Sequence, residues 1–421
     1  MLSRVLTFSP ELDESFFQEL PAAAAVFLLR GEGEPYISKT ANLRRRLQRL
    51  LGPRNENSKR LNLRDLIRQI EFTVTGSDFE SQFLLYRLLR QTFPKTYAAR
   101  LRLRPAPLVK LHLENEYPRA SVTSRLGRLP GKKKEKETEC GETGVSPVLH
   151  TATRAGEDAP APKNQFSNLY YGPFPSRSAA EKFASDALDF FKMRRCVEDL
   201  HPDPAFPGCA YSEMKMCLAP CFKGCSDEEY QSEVARVQAF FDTSGESLSR
   251  ELTEQRERAS TELAFEEAAA IHTKLEKLKP LLSQLPEIVQ RIDRLQAIWV
   301  QPSPEPNSVL VFHFAEAMLQ GPFPFSVDLR ADSQSMESRV ETAIASFPPP
   351  NSHSTAERIE HLAILKRWFY RSHRTGEIFF ANDKGSWPLR RIVRGIGRVY
   401  KGEKPAEPAP FSATSSAAPP S

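Results

Sequence analysis

The chain has no apolar run near its start that could cross a bilayer. The longest there, Ala22 to Leu29, falls well short of the roughly 20 residues a spanning helix needs, and acidic residues precede it. Cysteine is scarce as well. Six in 421 residues argue against a disulfide framework and turn attention to metal or redox use. We therefore expect a cytoplasmic protein with no membrane partner. What is present is ordinary for a soluble globular chain, with 40% hydrophobic and 26% charged residues. The length exceeds the usual single-domain size, so several domains are expected.

The formal net charge of +5 conceals an asymmetry. Residues 39 to 110 carry 17 Lys and Arg against 5 Asp and Glu, which leaves the rest of the chain net acidic. A charge gathered in one segment is the electrostatic footprint of a polyanion-binding module.

The pattern along the chain predicts an α+β protein. Residues 15–125 alternate short apolar runs (Ala24-Val26-Leu28; Ile70-Phe72-Val74) with helical stretches at Asn42 to Leu51 and Asp78 to Gln91, as a small α/β unit with a short sheet would. Residues 126–164 turn to Gly, Lys, Glu, Thr, Pro and Ala without periodicity, and we expect a disordered insertion. A cysteine-rich segment follows at 165–226, including a helix from Ser178 to about Met193. Residues 227–296 carry a long helical pattern with few breakers, consistent with a helical hairpin or paired long helices. Residues 297–401 form a small mixed region with a strand at Val309 to Phe314 and a helix at Ala356 to Tyr370. Residues 402–421 read as a disordered tail.

Within the first unit, Ala25-Val26-Phe27, Tyr36-Ile37-Ser38-Lys39 and Asn42 to Leu47 occur in order. They are followed by Glu80 to Tyr97 and by Tyr117-Pro118-Arg119-Ala120-Ser121-Val122-Thr123. This series resembles the GIY-YIG nuclease domain of the UvrC family of excision-repair proteins. In such domains two tyrosines, a lysine and an arginine act on a phosphodiester, and a glutamate holds a divalent cation. The resemblance places Tyr36, Lys39 and Arg46 in the retained catalytic positions. Phe27 stands where the first tyrosine belongs, Ser38 where the glycine belongs, and Leu85 where the glutamate belongs. Phenylalanine has no hydroxyl and leucine offers no oxygen to magnesium or manganese, so the site reads as a remnant. Glu80 lies about 140° around the helix from Leu85 and is expected to face away; Glu34 is the freer carboxylate. Arg44, Arg45 and Arg49, with Arg46, suit DNA phosphates whether or not cleavage follows.

Cys196, Cys209, Cys217 and Cys221 leave gaps of twelve, seven and three residues. Four thiolates in a Pro/Gly-containing stretch suit either tetrahedral zinc or a 4Fe-4S cluster, and spacing alone does not choose. The frame is similar to the UvrC cysteine segment, including Ala219-Pro220-Cys221, and that resemblance implies a 4Fe-4S cluster. Cys225 and Cys140 fall outside it and are expected to be free thiols. Thr261 to His272 resembles the UVR motif, through which UvrC binds UvrB as paired helical hairpins. It offers Leu263, Ala268 and Ile271 on one stripe, Phe265 and Ala269 beside it, and Glu266 after the phenylalanine.

Full-length UvrC also carries an RNase H-like nuclease domain and helix-hairpin-helix motifs, and no recognisable copy of either occurs here. Asp328, Asp332 and Asp383 read as surface aspartates, Ile359 to Tyr370 as core, and Leu389 to Lys401 as a packed basic helix. The resemblance implies a DNA-binding, UvrB-docking protein of nucleotide excision repair without nuclease activity. Its alternatives are an active Cho-like endonuclease using a substituted carboxylate and an iron–sulfur redox sensor that binds DNA.

Overall fold

The computed structural model describes residues 2–53, 61–127, 129, 167–328, 334–349, 354–382 and 385–404. Most of the 126–164 insertion, most of the 402–421 tail, Cys140, Asp332 and Asp383 lie outside them. The chain divides into two compact units. The first comprises residues 1–106, 173–175 and 286–421, and the second residues 107–172 and 176–285.

The first unit opens with β1 (Arg4–Thr7), α1 (Ser15–Glu19), β2 (Ala25–Gly31), β3 (Tyr36–Thr40), α2 (Leu43–Leu51), β4 (Ile67–Val74), α3 (Asp78–Thr92) and α4 (Tyr97–Leu101). The four strands form an antiparallel sheet in the order β1-β4-β2-β3. Strand alternation sends Ala25, Phe27 and Leu29 to one face, where they meet Leu43, Leu47, Leu50 and Leu51 of α2 in a buried core. Helix α2 starts where extended Asn42 accepts the backbone N–H of Arg45, and its leucines recur at helical spacing.

Helix α3 begins at Ser77, whose hydroxyl accepts the N–H of Glu80, while Glu80 Oε2 accepts the N–H of Gly76 at 2.7 Å. The Glu80 carboxylate is thus committed to the backbone just ahead of the helix. The helix is covered on two sides, which buries even Glu80, Ser81 and Gln82. It packs on β2 and β3, and Phe79 and Phe83 meet an aromatic cluster from the far end of the chain.

The second unit holds β5 (Leu108–Leu111), β6 (Ala120–Thr123), β7 (Leu169–Gly172), α5 (Arg177–Leu188), α6 (Ala210–Glu213), α7 (Asp227–Asp242), α8 (Glu246–Thr261) and α9 (Phe265–Ser283). The domain scheme drawn from sequence placed 108–123 with the first unit. Here β5 pairs with β6 on one side and with β7 on the other, Val109 opposite Tyr171, so the pair belongs to the second unit. The helical pattern drawn to residue 296 resolves into three helices and ends at Ser283. Ser244 and Gly245 break it first, Leu263 second, all at positive φ, and Pro286 disfavours helix at the residue before it. The helix expected to reach Met193 ends at Leu188.

The first unit resumes with β8 (Gln290–Arg291), β9 (Ala297–Pro302), β10 (Ser308–Ala315), β11 (Met318–Ser326), α10 (Met336–Ala345), α11 (Thr355–Phe369), β12 (Glu377–Phe380) and α12 (Leu389–Lys401). Strands β11-β10-β9-β12 form a second antiparallel sheet. Ile392, Ile396 and Val399 of α12 pack on it, so this basic helix is a core element on its apolar side. Trp299 of β9, Phe312 of β10 and Trp368 of α11 supply the aromatic cluster that receives Phe79. The protein is thus mixed α/β, with several small antiparallel sheets.

Candidate nucleic-acid interface and cysteine cluster

Tyr36 and Phe27 share the sheet face that α2 covers, with ring centroids 6.1 Å apart. From α2, Arg46 Nη2 donates to the Tyr36 hydroxyl at 2.8 Å, and the buried Arg46 Nε has no hydrogen-bond partner. Phe27 is fully buried, so the phenyl ring completes a core rather than lining an opening. Leu85 is half-buried on α3.

Lys39 is three residues beyond Tyr36 on the same strand, and an odd spacing puts it on the opposite face. There its Nζ lies 2.5 Å from Asp78 Oδ1 at the start of α3. Arg371, just after α11, pairs with the other oxygen of the same carboxylate. Burial works to raise the Asp78 pKa; the hydrogen bonds from Lys39 and Arg371 outweigh it and hold the carboxyl below its ordinary value. The structure therefore brings together Tyr36, Arg46 and Phe27 and sends Lys39 elsewhere.

Of the substitute carboxylates, Glu80 is fixed on Gly76, and burial pushes its pKa up to about 7 against the two backbone N–H groups that favour the charge. Glu34 is 62% exposed and ion-paired with Arg100 at 2.6 Å. The α2 arginines divide too. Arg44 Nε donates to the Leu20 carbonyl at 2.8 Å, whereas Arg45 and Arg49 are exposed. Sequence reasoning missed Asp78 and Arg371, whose pairing spans 293 residues and leaves no local signal.

In the second unit, Cys196, Cys209, Cys217 and Cys221 are half-buried free thiols close enough to act on one another. Burial, with the neighbouring thiol groups of Cys196, Cys221 and Cys209, pushes Cys217 up to about 11 against the Ala219 N–H that donates to its Sγ at 3.3 Å. Arg194 is 2% exposed; it donates to the carbonyls of Tyr117 and Glu198 and from Nη1 to Cys196 Sγ at 3.4 Å. Ala219 and Lys223 sit in left-handed conformations on either side of the Pro220–Phe222 turn, which carries Cys221. Cys225 keeps different company: after burial, Glu229 and Asp227 dominate its raised pKa, ahead of Cys221. Among the described residues no group of three or more His, Cys, Asp and Glu side chains is arranged to hold a metal ion.

Helices α8 and α9 pack against each other as a hairpin. Leu263 lies in the turn between them, at φ 58 and 70% exposed, and Phe265 opens α9 at 66% exposed. Ala268 is half-buried, and Glu266 and Ala269 are exposed, but Ile271 is buried. The single stripe expected from sequence is therefore split: Leu263 precedes the helix, and Ile271 is buried rather than displayed. Among the described residues no helix is long and apolar enough to cross a membrane.

The family model for the UvrC/Cho excinuclease middle domain matches residues 148–240, the stretch that carries the four cysteines. The chain is 26% identical to the UvrABC system protein C of Idiomarina loihiensis over 268 residues, 63% of this chain and 37% of that relative. It is 23% identical to the protein of the same name from Coxiella burnetii strain Dugway over 64% of this chain and 38% of the relative. For that of Rickettsia canadensis the figures are 25%, 67% and 39%. The chain is thus similar to the UvrC family, most specifically over the middle-domain stretch at 148–240. Its match spans less than two-fifths of the length of these relatives. No solved structure matches.

Proposed function

We propose that this chain is a DNA-binding protein of nucleotide excision repair that docks a UvrB-like partner and does not itself cut. The observation that carries this reading is the state of the GIY-YIG-like face. Tyr36 and Arg46 are hydrogen-bonded to each other, buried Phe27 fills the position of the first tyrosine, and Lys39 is tied to Asp78 on the other face. Such a face holds phosphate through arginine but offers no assembled metal carboxylate.

The four-cysteine group is the proposed seat of a 4Fe-4S cluster, with zinc as the alternative. Its support is the family's cysteine frame, the mutual proximity of Cys196, Cys209, Cys217 and Cys221, and the N–H and guanidinium donors aimed at two of the sulfurs. When bound, such a centre would tie the turns at 196, 209 and 217–221 into one structure. The exposed Leu263 and Phe265 at the tip of the α8–α9 hairpin are the proposed anchors for UvrB.

A nicking assay tests the central claim. Full chain, UvrB, damaged duplex DNA and either magnesium or manganese should yield no incision. Metal-dependent nicking that Arg46→Ala abolishes would overturn the reading, and incision gained by Phe27→Tyr combined with Leu85→Glu would support it strongly.

A further inference from the structure

The start of α3 forms one wall of a cavity of about 440 Å³ in the first unit, opposite the segment that follows α11. Lys39, Arg371, His373 and Arg374 line it together with Ser77 and Asp78. Three permanent cations and one carboxylate thus line the same cavity. Asp78 answers two of them, Lys39 and Arg371. Arg374 forms no ion pair among the described residues. Its guanidinium lies over the rings of Trp368 and Phe369 and donates to the Phe369 carbonyl at 3.1 Å. Burial lowers its pKa, and the more distant charges of Glu287 and Glu377 offset this only in part. A second anion in the cavity would compensate a charge that the fold leaves under-matched.

The cations are held in place rather than carried on a loose loop. The Thr375 carbonyl accepts from Gln301 Nε2 at 3.0 Å and from Trp368 Nε1 at 3.2 Å. Gly376 follows at φ 80, where a Cβ would stand 2.2 Å from Gln301 Nε2, so only glycine lets the segment press this close to β9. Across the cavity, the fifteen-residue α3 directs the positive end of its peptide dipoles inward.

We propose that this cavity is a phosphate-binding site, in which Arg374, Arg371 and Lys39 supply the positive charge and Asp78 is the built-in counter-anion that phosphate competes with. Arg371, His373 and Arg374 lie outside the α2 arginine face, and binding of inorganic phosphate would establish the site without any DNA. The phosphate can come from a nucleic-acid backbone or from a free ion, and the two sources separate in the test.

The full chain is titrated with inorganic phosphate, read by the backbone amide resonances of Ser77 to Phe79 and Thr375, and separately with a fluorescent duplex oligonucleotide at fixed ionic strength. Arg374→Gln should weaken binding about fivefold and Asp78→Asn should tighten it about fivefold, because one removes a cation and the other the competing anion. Glu305→Gln, the same charge change at an exposed residue outside the cavity, should do neither. Opposed shifts for inorganic phosphate alone identify a free ion as the ligand; opposed shifts for the duplex identify backbone phosphate. A variant that merely misfolds cannot produce the gain expected of Asp78→Asn. Unmoved amides together with duplex affinity indifferent to both variants would overturn the proposal.

Discussion

Tyr36 and Lys39 lie three residues apart on β3 and answer to different partners: Arg46 from α2 donates to the Tyr36 hydroxyl at 2.8 Å, and Asp78 from α3 holds Lys39 at 2.5 Å. The two sit on opposite faces of a sheet. The two side chains thus belong to different layers, Tyr36 to the one facing α2 and Lys39 to the one facing α3.

The α2 arginines should separate into anchored and free. Arg45→Glu with Arg49→Glu should weaken duplex binding for all sequences alike and flatten its salt dependence, since exposed guanidinium groups contact phosphates by charge. Arg44→Ala should instead cost about 1 kcal/mol of stability, because its Nε bonds the Leu20 carbonyl. Binding isotherms at several salt concentrations and denaturant midpoints read the two effects.

The α8–α9 hairpin should separate docking from folding. Leu263→Asp and Phe265→Ala are expected to reduce binding of UvrB with little loss of stability, as both side chains are mostly exposed. Ile271→Ala, inside the fold at 6% exposed, should cost about 2 to 4 kcal/mol. Calorimetric titration and thermal unfolding of the same variants check this; equal destabilisation by all three would contradict the split.

For the cysteine group, anaerobically purified protein should be brown, with broad charge-transfer absorption that colourless zinc cannot give. Serine at Cys196, Cys209, Cys217 or Cys221 should remove the colour and loosen the segment from Tyr170 to Gly224. Serine at Cys225, whose thiol keeps company with Glu229 and Asp227, should leave it. Colourless protein carrying one zinc would replace the cofactor and keep the ligands.

Glu80 gives a pH signature. Its folded pKa is raised to about 7 from 4.5, so its contribution to stability is full below pH 4.5 and is lost as pH rises through about 7. Glu80→Gln keeps an acceptor for Gly76 and cannot ionise. The wild type should therefore lose stability relative to Glu80→Gln between those pH values, by on the order of 3 kcal/mol. Denaturation curves from pH 4 to 8 would show a flat difference if burial has no such effect.

Local features of the fold were legible and distant ones were not. Asn42 before leucines at helical spacing fixes α2, and the same residues appear in its cap and core. The helical stretch read at Asp78 to Gln91 likewise returns as α3, Asp78–Thr92. By contrast, nothing near residue 110 announces that β5 pairs with β7 across some 60 residues, or that Asp78 meets Arg371. Leu263 misled for a different reason. Apolar periodicity continues through a turn, and only a backbone at φ 58 reveals that the helix has stopped there.

The first unit is built from both ends of the described chain, with residues 107–172 and 176–285 between them. On a ribosome, Phe79 and Phe83 emerge long before Trp299, Phe312 and Trp368 exist to cover them. The nascent amino-terminal sheet must wait with an aromatic flank open. A transcript truncated anywhere before the codon for Trp299 would release a chain with that flank permanently uncovered, a substrate for chaperones and proteases rather than a smaller working protein.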